Sequence, residues 1–143
     1  MIFMARSDAI VFDTSIDGGI VVGHDGSEQG DRALAWALQD AVRRGGAVVH
    51  LVRAWQLAQV MSQIQSEPGV VPSFAECEAA ISERNRAAIE RIRAGAEAAG
   101  VACGGIVVHE HTVHAPRAEA LIKASEYADL VVVGDRGRGG FAG

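Results

Sequence analysis

Two short segments hold nearly all the residues of this chain that could handle an anion or a sugar hydroxyl. The first is Gly23-His24-Asp25-Gly26-Ser27. The second is Gly134-Asp135-Arg136-Gly137-Arg138-Gly139-Gly140, with four glycines in seven positions. Glycine density of this kind suits a phosphate, because backbone amides approach one closely only where no Cβ intervenes and where positive φ angles form an anion-binding nest. Arg136 and Arg138 add planar donors matched to phosphate oxygens. Asp25 has the opposite character. A carboxylate repels phosphate, so Asp25 is assigned to a ribose hydroxyl or a metal-bound water, and the glycine segment to the phosphates. Each segment alone also has a plainer reading: Asp25-Gly26-Ser27 as a turn with a helix cap, and the glycine stretch as a flexible terminus.

Other chemistries fail on what they require. A P-loop needs G-x-x-x-x-G-K-[ST], and the single lysine, Lys123, sits in Leu121-Ile122-Lys123-Ala124-Ser125 with no glycine before it. Gly137-Arg138-Gly139-Gly140-Phe141-Ala142 does spell G-x-G-x-x-A, but it follows the last apolar run, and the chain ends before the acidic ribose partner due about 20 residues later. His109 and His111 share one strand face, yet no third or fourth ligand of matching spacing makes them a metal site. His50 and His114 carry no separate signal. Cys77 and Cys103 have no CxxC spacing and read as small buried fillers. No nucleophile with an activating base is evident, so turnover, if any, is slow.

The elements that must position these residues alternate in type. Gly19-Ile20-Val21-Val22-Gly23 is a continuous apolar run closed by glycine, which predicts a strand buried on both faces. Ser27 stands where an N-cap belongs. Leu34, Leu38 and Val42 recur every fourth residue beside Ala33, Ala37 and Ala41, which predicts a helix with one apolar face, ended by Gly45-Gly46. A second strand covers 48–52. Residues 55–72 read as a loop over the sheet edge. Ser73-Phe74-Ala75-Glu76 is a capping-box signal for a helix reaching Gly100. A third strand falls near 106–111, Pro116 opens another helix, and Leu130-Val131-Val132-Val133 is a fourth strand. The expectation is an α/β fold: an open parallel sheet with helices on both faces. With strand order 3-2-1-4 the winding reverses between strands one and four, and the crevice at such a switch point is where ligands bind. Both segments then flank it, and the backbone near Val52, at the end of strand two, forms the wall for a base.

Composition agrees with this picture. The 143 residues are 49% apolar but only 5% aromatic, so aliphatic side chains build the interior. A formal charge of −5 speaks against a nucleic-acid partner, which calls for a basic face. No apolar run is long enough to span a membrane, and residues 1–18 read as a poorly ordered leader rather than a signal peptide. The expected compartment is the cytoplasm.

Three stretches carry a resemblance to the universal stress protein family, covering residues 19–143. They are Ile20-Val21-Val22-Gly23-His24-Asp25-Gly26-Ser27 with Arg32-Ala33-Leu34-Ala35-Trp36-Ala37, then His50-Leu51-Val52-Arg53-Ala54-Trp55, and then Ala128-Asp129-Leu130-Val131-Val132-Val133-Gly134-Asp135-Arg136-Gly137-Arg138-Gly139-Gly140-Phe141. The last is similar to the opening half of the family's G-x-x-G…G-[ST] nucleotide motif through Gly134 and Gly137. The resemblance implies a Rossmann-like, adenine-nucleotide-hydrolase-like sheet in order 3-2-1-4-5 and a homodimer. It implies an adenine-nucleotide-binding regulatory module in stress response, with ATP, and Mg²⁺ where a metal takes part. In that scheme Asp25 meets the ribose, the Val52 region the adenine, and the segment from Gly134 onward the ribose and phosphates. Departures are His24, a protonatable ring that would make affinity pH-dependent; Asp135, an acid where Ser or Thr is frequent; and the missing second half of the motif and fifth strand, which read as a truncation. Cyclic AMP in place of ATP, a slow ATP hydrolase, and a nucleotide-independent dimeric interaction protein stay open as alternatives.

Overall fold

Apolar runs that admit no water on either side become the inner strands of a parallel sheet. The computed structural model describes residues 10–12, 14–63 and 69–135, and among these the strands are β1 (Ile20–Gly23), β2 (Val49–Trp55), β3 (Val108–His114) and β4 (Leu130–Val133), with β1 and β2 inner and β3 and β4 at the edges. They pair in parallel in the order β3-β2-β1-β4. Val21 stands between His50 and Val131 in register, and Val52 opposite His111. The order 3-2-1-4 expected from the alternation is therefore observed, with the winding reversing between β1 and β4.

The helices are α1 (Glu28–Arg43), α2 (Leu57–Gln63), α3 (Phe74–Ala98) and α4 (Arg117–Ser125). α1 begins where predicted: the Ser27 hydroxyl accepts from the Gly30 amide, and Glu28 and Asp31 lie in the first turn, where they complement the helix dipole. Its face Ala33, Leu34, Ala37, Leu38 and Ala41 is buried against Ile20, Val22, Val49 and Leu51. The capping box at Ser73 and Glu76 forms in full and starts α3, which covers the same side of the sheet. α4 covers the other side with Ala120 and Ala124 against Val21, Val52 and Val113.

Several boundaries differ from the sequence reading. β2 runs three residues past Val52, and β3 lies later than 106–111, at Val108–His114. Both extensions contain polar residues, Arg53 and Thr112, whose partner Asn85 comes from α3 and so is invisible to a hydropathy pattern. α2 falls inside the segment read as loop. It is two turns long, too short to show a period. Residues 10–18, expected as part of a poorly ordered leader, instead carry Ile10 and Ile16 buried on the α4 side of the sheet, with Phe12 edge-on to His111 at 5.4 Å between ring centroids. One nine-residue helix cannot cover that face of four strands, and these apolar side chains complete the cover.

Candidate functional site

The turn after β1 is fixed by its own side chains before any ligand enters. Asp25 Oδ1 accepts from the Ser27 amide at 3.0 Å and from the Ser27 hydroxyl, an Asx turn that also holds the cap of α1. Gly26 adopts φ +85°, a left-handed angle that a side chain would strain, and a Cβ there would lie 3.0 Å from the Arg53 guanidinium. Asp25 is nearly buried, at 9% side-chain exposure, and its Oδ2 faces Arg117 Nη2 at 3.5 Å, from the first turn of α4.

His24 turns away from this carboxylate and under α1. Its backbone N–H donates to the Val52 carbonyl at 3.0 Å. Its ring Nδ1 accepts from the Gly26 amide at 2.9 Å, which leaves Nε2 to carry the proton and donate to Asp31 Oδ1 at 2.9 Å. Asp31 in turn meets Arg91 of α3 at 2.7 Å. A Cβ on Gly30 would come within 2.9 Å of the His24 ring, so glycine at that helical position is what lets the imidazole lie flat against α1.

Asp25 and Gly134 line one cleft at the C-terminal ends of β1 and β4, together with Gly23, Gln29, Arg117 and Leu121. Its volume is about 40 Å³, room for a few waters. Both glycines serve close packing here. A Cβ on Gly134 would sit 2.7 Å from Gln29 Cβ and 2.9 Å from its carbonyl carbon and oxygen, and one on Gly23 would sit 2.9 Å from Leu121. Asp135 follows Gly134 and is exposed, but it lines the hollow between the edge of β4 and α1 rather than the cleft that holds Asp25. Val52 is 1% exposed and within β2, its carbonyl already engaged by His24. The open end of β2 is the stretch from Arg53 to Trp55. Arg136, Gly137, Arg138, Gly139 and Gly140 lie outside the described residues.

Sequence reasoning missed the residues that connect this cleft to its surroundings. Arg117 reaches Asp25 from 92 positions away. Arg53 reaches over Gly26 and toward Asn85 Oδ1 at 3.4 Å. Asn85, 1% exposed, donates to Glu110 Oε2 and Thr112 Oγ1, each at 3.1 Å, and Ser82 donates to Glu110 Oε1 at 2.6 Å. The signal that could have revealed Arg53 is the period-2 continuation Leu51, Arg53, Trp55 along one face of β2.

On the opposite face, His50 and His111 are buried, with His50 Nδ1 3.0 Å from His111 Nε2 and the His109 ring tilted against His50 at 5.3 Å between ring centroids. Burial, then the neighbouring His111 and His109, lowers the His50 pKa to about 4, so the ring is neutral near pH 7. One ring donates and the other accepts. Among the described residues no group of His, Cys, Asp or Glu is arranged to hold a metal ion, and no helix is long and apolar enough to cross a membrane.

The sequence pattern of the Universal stress protein family matches residues 19–143. Over 124 residues the chain is 36% identical to universal stress protein Rv2623 of Mycobacterium tuberculosis (strain ATCC 25618 / H37Rv), covering 87% of this chain and 37% of that protein. The chain thus spans little more than a third of the length of the curated relatives it matches. Among solved structures, a protein of the universal stress protein family from Burkholderia pseudomallei is similar with a TM-score of 0.53 and 25% identity, over 85% of this chain and 83% of that one. A universal stress protein solved in complex with cAMP has a TM-score of 0.53 at 22% identity, over 83% of this chain and 77% of that one.

Proposed function

The chain belongs to the universal stress protein family, and from that premise we propose that it is an adenine-nucleotide-binding regulatory module, with ATP as the ligand. The observation that carries this reading is that Asp25 and Gly134, from opposite ends of the domain, line one cleft at the switch point between β1 and β4. Asp25 is held by Ser27 in a fixed orientation suited to a ribose hydroxyl. The phosphates would follow the chain from Gly134 into the glycine- and arginine-bearing segment, and Mg²⁺, if it accompanies them, would be brought by the nucleotide. The relative solved with cAMP speaks for the fold's capacity, at an identity too low to speak for these residues.

The fit is conditional on one movement. At about 40 Å³ the cleft does not hold a nucleotide with Arg117 across Asp25. Arg117 is half exposed and its contact with Asp25, at 3.5 Å, is long, so that contact contributes about 1 kcal/mol or less. Titration calorimetry with ATP, with and without Mg²⁺ and with cAMP for comparison, tests the assignment. Asp25→Ala should weaken binding by about 1–3 kcal/mol, the range for hydrogen bonds to a charged group. Asp25→Asn, which keeps an oxygen for Ser27, separates the loss of charge from the loss of the turn. Equal affinity in all three proteins would remove Asp25 from the site.

The small cleft favours one competing reading, a nucleotide-independent interaction protein. The outer edge of β4, flanked by half-exposed Trp36 and Val133, would then serve a homodimer or partner strand. Mass spectrometry of gently purified protein distinguishes the two, since retained adenine nucleotide counts against this reading. The cytoplasm and a role in stress response are part of the proposal.

A further inference from the structure

The groove between α1 and α3 gathers positive charge that the cleft does not use. It runs from the first turn of α1 to the middle of α3 and has a volume of about 320 Å³, at the lower end of the roughly 300–1,000 Å³ usual for small-molecule sites. β2 contributes one side chain to it, Arg53, and the rest of the wall is the turn at His24 and Gly26 with the two helices. Of the walls of the cleft it shares only His24.

α3 supplies cations at a helical spacing. Arg84, Ala88 and Arg91 stand at i, i+4 and i+7, which puts them on one face of the helix with the small Ala88 between two guanidinium groups. Arg53 enters from the sheet, its guanidinium over Gly26 and its Nη1 3.4 Å from Asn85 Oδ1. Asn85 is 1% exposed, and its amide nitrogen is committed to Glu110 and Thr112, so its oxygen holds Arg53 from a fixed base. Among the described residues Asp31 is the single acid of the lining, and it is engaged twice, by His24 Nε2 at 2.9 Å and by Arg91 Nη2 at 2.7 Å. Arg84 is exposed and makes no ion pair among the described residues.

Three guanidinium groups thus face one carboxylate, in a chain whose formal charge is −5. Like charges held around one hollow focus a field that draws in a counter-ion. Ala88 is the one apolar side chain of the lining, so a ring or a branched chain finds nothing to rest on. Planar guanidinium groups on two walls suit oxygens carried by more than one centre.

We infer that this groove binds a compact multivalent oxyanion of the diphosphate kind, held by Arg84 and Arg53 from two walls, with Arg91 shared between the anion and Asp31. The inference concerns the anion alone and does not rest on nucleotide binding in the cleft.

The test is equilibrium dialysis of the whole chain against radiolabelled inorganic diphosphate, with orthophosphate for comparison. The expected result is one saturable site for diphosphate and weaker binding of orthophosphate. Arg84→Gln should weaken diphosphate roughly tenfold, the effect of losing one hydrogen bond to a charged group, and Arg84→Glu should abolish binding. Arg84 has no partner to lose, so neither change should move the melting temperature. Arg32→Gln removes the same charge from an exposed position on α1 outside the groove, and should leave the affinity within about twofold. Saturating ATP should leave diphosphate binding in place. No saturable binding at millimolar diphosphate overturns the proposal. Equal weakening in Arg84→Gln and Arg32→Gln does so too, since a diffuse charge effect then explains the affinity. Stoichiometric displacement by ATP also overturns it, by putting the anion at the phosphate end of a nucleotide site. A chain that takes diphosphate at Arg84 but no ATP supports this proposal and fails the cleft reading.

Discussion

Replacing Gly134 by alanine separates two reasons for having glycine after β4. A glycine kept only to let phosphate approach costs nothing to replace when no phosphate is present. Gly134 has a second duty: its missing side chain is the space into which the first turn of α1 packs. The added methyl would lie 2.7 Å from Gln29 Cβ and 2.9 Å from the Gln29 carbonyl carbon and oxygen, where ordinary contact starts near 3.4 Å. Two of the three atoms are backbone, so the clash is not relieved by a rotamer change. β4 and α1 must part by several tenths of an ångström, and the packing of Val132 and Leu130 against α1 loosens with them. Overpacking of this kind costs about 1–3 kcal/mol, which for a domain of this size lowers the melting temperature by roughly 3–12 °C. The assay is urea unfolding of nucleotide-free protein, with Gly104→Ala as the control, because a Cβ there finds only ordinary contact with the end of the Glu97 side chain at 3.5 Å. If Gly134→Ala unfolds within about 0.5 kcal/mol of the control, the packing argument is wrong and the glycine serves a ligand alone.

Two more consequences are measurable. His50 titrates near pH 4 in the fold and near 6.5 when unfolded, so between those values the unfolded chain binds more protons and stability falls as the pH is lowered. Unfolding free energies at pH 7 and pH 4.5 should show a loss of about 2 kcal/mol from this residue, and His50→Leu should flatten that part of the profile. Asn85→Leu keeps the volume under α3 but takes a donor from the buried Glu110 carboxylate, and should cost about 2–3 kcal/mol in urea unfolding; a neutral result would mean that Ser82 and Thr112 suffice.

The parts of this molecule legible in its sequence are those where burial and hydropathy coincide. Ile20, Val21 and Val22, and Leu130 to Val133, announce strands because nothing polar interrupts them, and the 3-2-1-4 winding follows from their alternation with helices. Legibility fails where a buried position is polar and its partner is remote. Arg53, Glu110 and Thr112 look like the ends of strands until Asn85 and Ser82 of α3 are seen to satisfy them. The site divides along the same line. Asp25 with Ser27 is a local turn, readable from three adjacent residues, whereas Arg117 is one more arginine on a helix until the fold brings it across 92 positions.

That division has a physical consequence for how the site could respond to a ligand. The Asp25 turn is held by Ser27, by the positive φ of Gly26 and by the start of α1, so its carboxylate is oriented in advance and loses little entropy on binding. Arg117 meets the same carboxylate from the first turn of α4 at 3.5 Å, half exposed. A ligand at Asp25 therefore exchanges one partner of Oδ2 for another while the turn that aims the carboxylate stays as it is.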